Sequence, residues 1–206
     1  MTWRRSVLPA AVIVVTVVLI ALLVTRRTGT HRGTIDAESI VMLGDSITEQ
    51  ADWASLLPDL PIVNQGYSGF TTEQLLPIAD AVGDAGPRVV FVLTGTNDIR
   101  DGRPPEWTAE QLGRMLDALE RRSPDTIVVV QTILPRADQP AAVDATNAAL
   151  LAVAATRDVR VLDLHEPFDD GRGGLRADET ADGVHLSPTG YRRWAAAIAP
   201  VIDDLG

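Results

Sequence analysis

Ser46, Asp182 and His185 have the residue types that acyl transfer uses. Ser46 follows the apolar run Ile40-Val41-Met42-Leu43 within Gly44-Asp45-Ser46-Ile47-Thr48. Asp182 and His185 stand three apart in Asp182-Gly183-Val184-His185-Leu186-Ser187. A serine hydroxyl is a poor nucleophile at neutral pH. It becomes effective when an imidazole within hydrogen-bond reach takes its proton and a third group holds that imidazole in place. The chain has three histidines, so the search for the base is short. His165, in Asp163-Leu164-His165-Glu166-Pro167, is the rival base, and His31 falls in a polar linker. Asp178 and Glu179 compete with Asp182 for the orienting role, and Ser46 has a second reading as a helix cap. Asp45 and Asp98 read as structural carboxylates beneath the loops.

These residues need a scaffold that brings distant stretches together. Short apolar runs at 39–43, 61–63, 88–94, 126–131 and 159–163 read as strands. The third and fourth are continuous and β-branched, as in a parallel sheet covered on both faces. Helices are expected at 49–57, 72–82, 108–122, 139–156 and 188–204, with capping-box spacing at Thr71/Gln74 and Thr108/Gln111. Strand–helix alternation implies a three-layer α/β/α sandwich with right-handed crossovers. Ligands in such sheets bind beyond the carboxyl ends of the strands. Ser46, Gly66 and Asn97 follow the first three strands and would reach that rim together, and His185 precedes the last helix.

Four segments in this order, Gly44-Asp45-Ser46-Ile47-Thr48, Asn64-Gln65-Gly66-Tyr67-Ser68-Gly69, Gly95-Thr96-Asn97-Asp98 and Asp182-Gly183-Val184-His185-Leu186-Ser187, resemble the SGNH, or GDSL, family of esterases and lipases. The resemblance spans residues 38–204. It implies a five-stranded flavodoxin-like sheet, Ser46 as nucleophile, and Asp182 and His185 as the pair that activates it. It further implies an oxyanion hole from the Ser46 and Gly66 backbone N–H groups and the Asn97 side chain. The activity implied is hydrolysis of acyl or acetyl esters through an acyl-enzyme, with no cofactor. Transfer of the acyl group to a sugar or lipid hydroxyl would use the same site. A catalytically silent binding protein of the same fold is the reading from another class. Thr48 occupies the second glycine position of a Gly-x-Ser-x-Gly elbow, which disfavours the α/β-hydrolase fold. Acyl-chain preference would depend on loop positions such as Trp53, Tyr67, Phe70 and Ile99, with Tyr67 and Phe70 read equally as a pocket wall or as packed inside.

Asp45, Asn97, Asp98 and His185 superficially match a metal-dependent phosphoesterase, but three histidines furnish a two-metal centre poorly. Calcium in the loop 169–182 has no regular ligand spacing behind it. The chain of 206 residues contains no cysteine, which excludes disulfides and thiolate metal sites, and no lysine. After residue 27 it carries 14 arginines against 28 acidic residues, a formal charge of −14 that would repel a nucleic-acid backbone. The first 27 residues read as a separate unit. Val7–Val24 is uncharged and would span about 27 Å as a helix, enough for a bilayer core. Arginines flank it on both sides, and no small-x-small cleavage site ends it. The expectation is an N-terminal membrane anchor (1–27), a linker (28–37) and one extracytoplasmic domain (38–206), with a cleaved, secreted form as the alternative.

Overall fold

The computed structural model describes residues 33–205. The chain runs β1 (Ile40–Gly44), α1 (Ser46–Glu49), α2 (Trp53–Leu56), β2 (Ile62–Gly66), α3 (Thr72–Ala85), β3 (Val89–Leu93), α4 (Thr96–Arg100) and α5 (Pro105–Arg122). It continues through β4 (Ile127–Gln131), α6 (Pro140–Ala154), β5 (Arg160–Leu162), α7 (His165–Phe168) and α8 (Pro188–Asp203). The strands form one parallel sheet in the order β2-β1-β3-β4-β5. This is the flavodoxin-like order, whose switch point lies between β1 and β3. Register brings Gly44, Gly66 and Leu93 level at the carboxyl rim.

Alternate residues of β1 feed two cores. Val41 and Leu43 pack with Leu75, Leu112, Met115 and Val143 from α3, α5 and α6. Ile40 and Met42 face the other layer, with Trp53, Tyr191, Trp194 and Ile198. Trp194 is fully buried, meets Trp53 edge-on at 4.9 Å, and donates its indole N–H to Gln131 Oε1 at 2.7 Å. The aromatic residues of the last helix are therefore core.

The fold-class expectation is corrected in one respect. Among the described residues no helix is long and apolar enough to cross a membrane, and the apolar stretch on which the anchor was placed lies outside the described residues. The described residues form the three-layer sandwich. Among its helices α5 is amphipathic: it buries Leu112, Met115, Leu116 and Leu119 while exposing Glu106, Glu110, Arg114 and Glu120.

Smaller departures have local causes. The helix expected at 49–57 is two short helices, because Asp52 caps a new start by accepting from Ser55 N–H. Thr71 and Gln74 form the expected capping box. Thr108 does not cap, since Pro105 starts α5 one turn earlier with its φ already helical.

Candidate active site

Ser46 is the first residue of α1, directly beyond β1. The Asp45 side chain accepts from Ile47 N–H at 2.9 Å and caps that helix. The other end of α1 is held by Asn64, whose amide donates to the carbonyls of Thr48 and Glu49, each at 3.1 Å. Tyr191 on α8 donates its hydroxyl proton to the Ile47 carbonyl at 2.9 Å, which ties the last helix to the element that carries Ser46. Burial pushes the Tyr191 phenol well above its usual range, so it stays a donor. Tyr191→Phe would leave that carbonyl without its partner in a buried place, at a cost of about 1–2 kcal/mol. The melting temperature is expected to fall by roughly 3–6 °C, measurable by scanning calorimetry, and an unchanged value would show the bond to be dispensable.

The loop before α8 delivers His185. Asp182 Oδ1 accepts from the N–H groups of Val184 and His185, at 2.9 and 2.8 Å, closing a tight turn. Thr180 braces that turn by donating to the His185 carbonyl at 2.7 Å. The second carboxylate oxygen, Oδ2, lies 2.7 Å from His185 Nδ1. His185 Nε2 lies 3.0 Å from Ser46 Oγ. The bond to the His185 side chain, helped by the two backbone bonds, holds the Asp182 carboxyl down at about 2. An ionised carboxylate only accepts, so Nδ1 carries the proton and Nε2 of the neutral ring accepts from the serine hydroxyl. Residues 139 apart in sequence thus form one hydrogen-bonded chain.

Asn97, the second residue of α4, faces the same cleft of ≈ 400 Å³ as Ser46 and His185. Its Nδ2 donates to the Phe70 carbonyl at 2.9 Å and its Oδ1 accepts from Arg100 at 2.6 Å, leaving one Nδ2 hydrogen. Gly66 is the residue the structure does not place there. It is the last residue of β2, its N–H donates to Asn64 Oδ1 at 2.9 Å, and it does not line the cleft. A Cβ at this position would collide with the backbone of Glu49, so glycine is needed here for the close approach of α1. Gly69 lines the cleft instead, at φ +78°, where the turn favours glycine. Ser68 N–H donates to Glu49 Oε2 at 3.0 Å and secures this turn to α1. The signal for Gly69 was in the sequence as the second glycine of Asn64-Gln65-Gly66-Tyr67-Ser68-Gly69.

The other candidates fall away from the cleft. His165 pairs with Asp144 at 3.6 Å and does not line it. Glu179 is buried against Arg193, and Asp178 offers its carbonyl to the Ser187 hydroxyl at 2.6 Å. In the loop 169–182, Asp169 and Asp170 turn their carboxylates onto the loop's own N–H groups at Gly171, Arg172 and Gly173. Among the described residues no group of three or more His, Asp or Glu could hold a metal ion. The residues expected to set acyl preference do not line the cleft either. Trp53 and Ile99 are in the two cores, while Tyr67 and Phe70 stack on each other at 5.1 Å. Arg100 and Arg136 line the cleft and were not singled out by sequence.

Asp45 and Asp98 support these loops from beneath. Asp98 Oδ2 accepts from the N–H and hydroxyl of Thr72, at 2.9 and 3.0 Å. Asp45 Oδ2 and Asp98 Oδ1 are buried without a hydrogen-bond partner. Burial pushes the Asp45 carboxyl up to about 7, against the opposing pull of the Ile47 bond, and pushes Asp98 upward too. A carboxyl raised above 3.8 in the folded state binds its proton more tightly there than in the unfolded chain. Its contribution to stability is complete below the unfolded pKa and is lost as pH rises through about 7. Asp45→Asn keeps the oxygen that accepts from Ile47 and removes this titration. Relative to the wild type, the variant is expected to gain melting temperature as pH rises from 5 to 8. A gap that stays constant with pH would contradict the assignment.

A serine, an imidazole and a carboxylate are thus joined at the switch point of a flavodoxin-like sheet. The chain belongs to the GDSL-like lipase/acylhydrolase family, whose sequence model matches residues 42–193. It superposes on a GDSL-like lipase from Bacteroides thetaiotaomicron with a TM-score of 0.73 and 24% identity, over 81% of this chain and 88% of that one. A candidate acylhydrolase from Bacteroides fragilis gives 0.74 and 25%, over 86% and 94%. A carbohydrate esterase of family 3 from Talaromyces cellulolyticus gives 0.68 and 23%, over 81% and 97%. No curated protein matches by sequence. Ester hydrolysis is the general activity to which family and fold point.

Proposed function

We propose that this protein is a serine esterase that cleaves short acyl groups from polar alcohols through an acyl-enzyme on Ser46. The observation that carries the reading is the chain from Asp182 Oδ2 through His185 to Ser46 Oγ, with links of 2.7 and 3.0 Å, opening on a cleft. His185 takes the hydroxyl proton as Ser46 attacks the carbonyl carbon, and Asp182 stabilises the resulting imidazolium. His185 then returns the proton to the departing alcohol, and water, activated by the same ring, releases the acid. The oxyanion meets the N–H groups of Ser46 and Gly69 and the remaining Nδ2 hydrogen of Asn97. One such donor contributes about 3–4 kcal/mol of transition-state stabilisation.

The cleft lining argues for a small acyl group. Of the eleven residues around it, Val184 alone brings a wholly apolar side chain. No second apolar side chain extends the cleft for a long alkyl chain to lie along, and Gln50, Ser68 and Thr96 offer hydrogen bonds to a hydroxylated alcohol. A carbohydrate ester fits this chemistry, in keeping with the carbohydrate esterase among the structural neighbours. The test is a p-nitrophenyl ester series. kcat/KM is expected to fall by about tenfold or more from acetyl to octanoyl, and a rise with chain length would contradict the small-acyl reading.

A further inference from the structure

Arg100 holds the Asn97 amide in a geometry that its own helix does not dictate. On α4 the two residues are three apart and share a face. Arg100 Nη1 donates to Asn97 Oδ1 at 2.6 Å, and Nε is fixed by Asp101 Oδ1 at 2.8 Å. Asn97 Nδ2 gives one hydrogen to the Phe70 carbonyl at 2.9 Å. An amide committed through its oxygen and one hydrogen cannot turn end for end, and its last hydrogen is left for the cleft. Arg136 Nη1 donates to the carbonyl of Thr96 at 3.0 Å and secures the preceding residue.

We infer that Arg100 is a positioning residue for the oxyanion hole, acting through Asn97. The inference rests on Asn97 being an oxyanion donor, as proposed above. Two effects follow from one contact. The guanidinium fixes which atom of the amide faces the reacting carbonyl, so nothing reorganises as charge develops. It also draws electron density from the amide nitrogen, and a hydrogen bond so polarised is stronger. Neither effect needs Arg100 to touch the ester. Its side chain is half exposed, so replacing it opens no core.

The experiment is a cycle in the full chain, using Arg100→Met, Arg100→Lys, Asn97→Ala, the Arg100→Met/Asn97→Ala double variant and Ser46→Ala, with p-nitrophenyl acetate. Arg100→Met is expected to lower kcat by about 10–30-fold with KM changed less than about threefold, since the lost interaction belongs to the transition state. Arg100→Lys should fall between the two, having no planar fork to hold the amide. Asn97→Ala should lose about 10²–10³-fold, and the double variant should lose no more than Asn97→Ala alone. Guanidinium chloride at tens of millimolar should restore part of the rate to Arg100→Met and none to the double variant. An unchanged kcat, a loss confined to KM, or losses that multiply in the double variant would overturn the inference, the last two by making Arg100 a direct substrate contact. If Ser46→Ala keeps the wild-type rate, the reading of the site fails first and this inference with it.

Discussion

Alanine at position 185 is expected to lower kcat for ester hydrolysis by about 10⁵–10⁶-fold while leaving the melting temperature within about 2 °C of the wild type. His185 Nε2 is the proton acceptor 3.0 Å from Ser46 Oγ, and His165, the other histidine among the described residues, is engaged with Asp144 away from the cleft. Among the described residues no second imidazole therefore lines the cleft. The ring is about one third exposed and its loop is held by the bonds of Thr180 and Asp182, so truncation removes chemistry without opening the core. Ser46→Ala should match it, and the double variant should be no worse than either, because the two act as a unit. A collapse of the melting temperature in both variants would instead mark them as structural residues.

Asp182→Asn is the second large effect, expected at about 10³–10⁴-fold in kcat. Asparagine retains an oxygen for the turn, so His185 stays on its loop, but the ring loses the carboxylate that selects its tautomer and stabilises its cation. The pH dependence separates this from a packing defect. With the Asp182 carboxyl held at about 2, it stays ionised throughout the working range, and protonation of this group cannot set an acid limb above about pH 3. The sign for stability is the ordinary carboxylate one. A pKa depressed from 3.8 contributes stability above the unfolded value and loses it as pH falls through about 2. Melting temperatures of wild type and Asp182→Asn should therefore converge only in strong acid. Convergence already at pH 5 would contradict the assignment. A loss exceeding that of His185→Ala would overturn the ranking of the two residues.

Much of this arrangement was legible in the sequence because each part sits beside a strong local signal. β1, β3 and β4 are short apolar runs, and parallel strands end at one rim, so Ser46 and Asn97 had to meet whatever their function. Asp182 and His185 were legible because few histidines compete and their segment resembles a family motif. The second strand was read short because Asn64 and Gln65 are polar. Asn64 is nevertheless buried, with its amide spent on the end of α1, so the strand continues to Gly66. That extension moved the cleft-lining glycine from Gly66 to Gly69. The acyl-site residues were beyond sequence reasoning for a related reason. Aromatic residues near a motif carry no record of direction, and Trp53 turned inward against Trp194. Arg100 and Arg136 were missed because arginines in an acidic chain read as solvated charge. Only their bonds to Asn97 and Thr96 give them a role at the site.

The most direct measurement is peptide mapping after reaction of the folded chain with a fluorophosphonate. Covalent phosphonylation is expected at one residue, Ser46, lost in His185→Ala at the same exposure and prevented by prior unfolding. Labelling of His185→Ala at the wild-type rate, or no labelling of folded wild-type protein, would contradict the claim that this imidazole activates this serine.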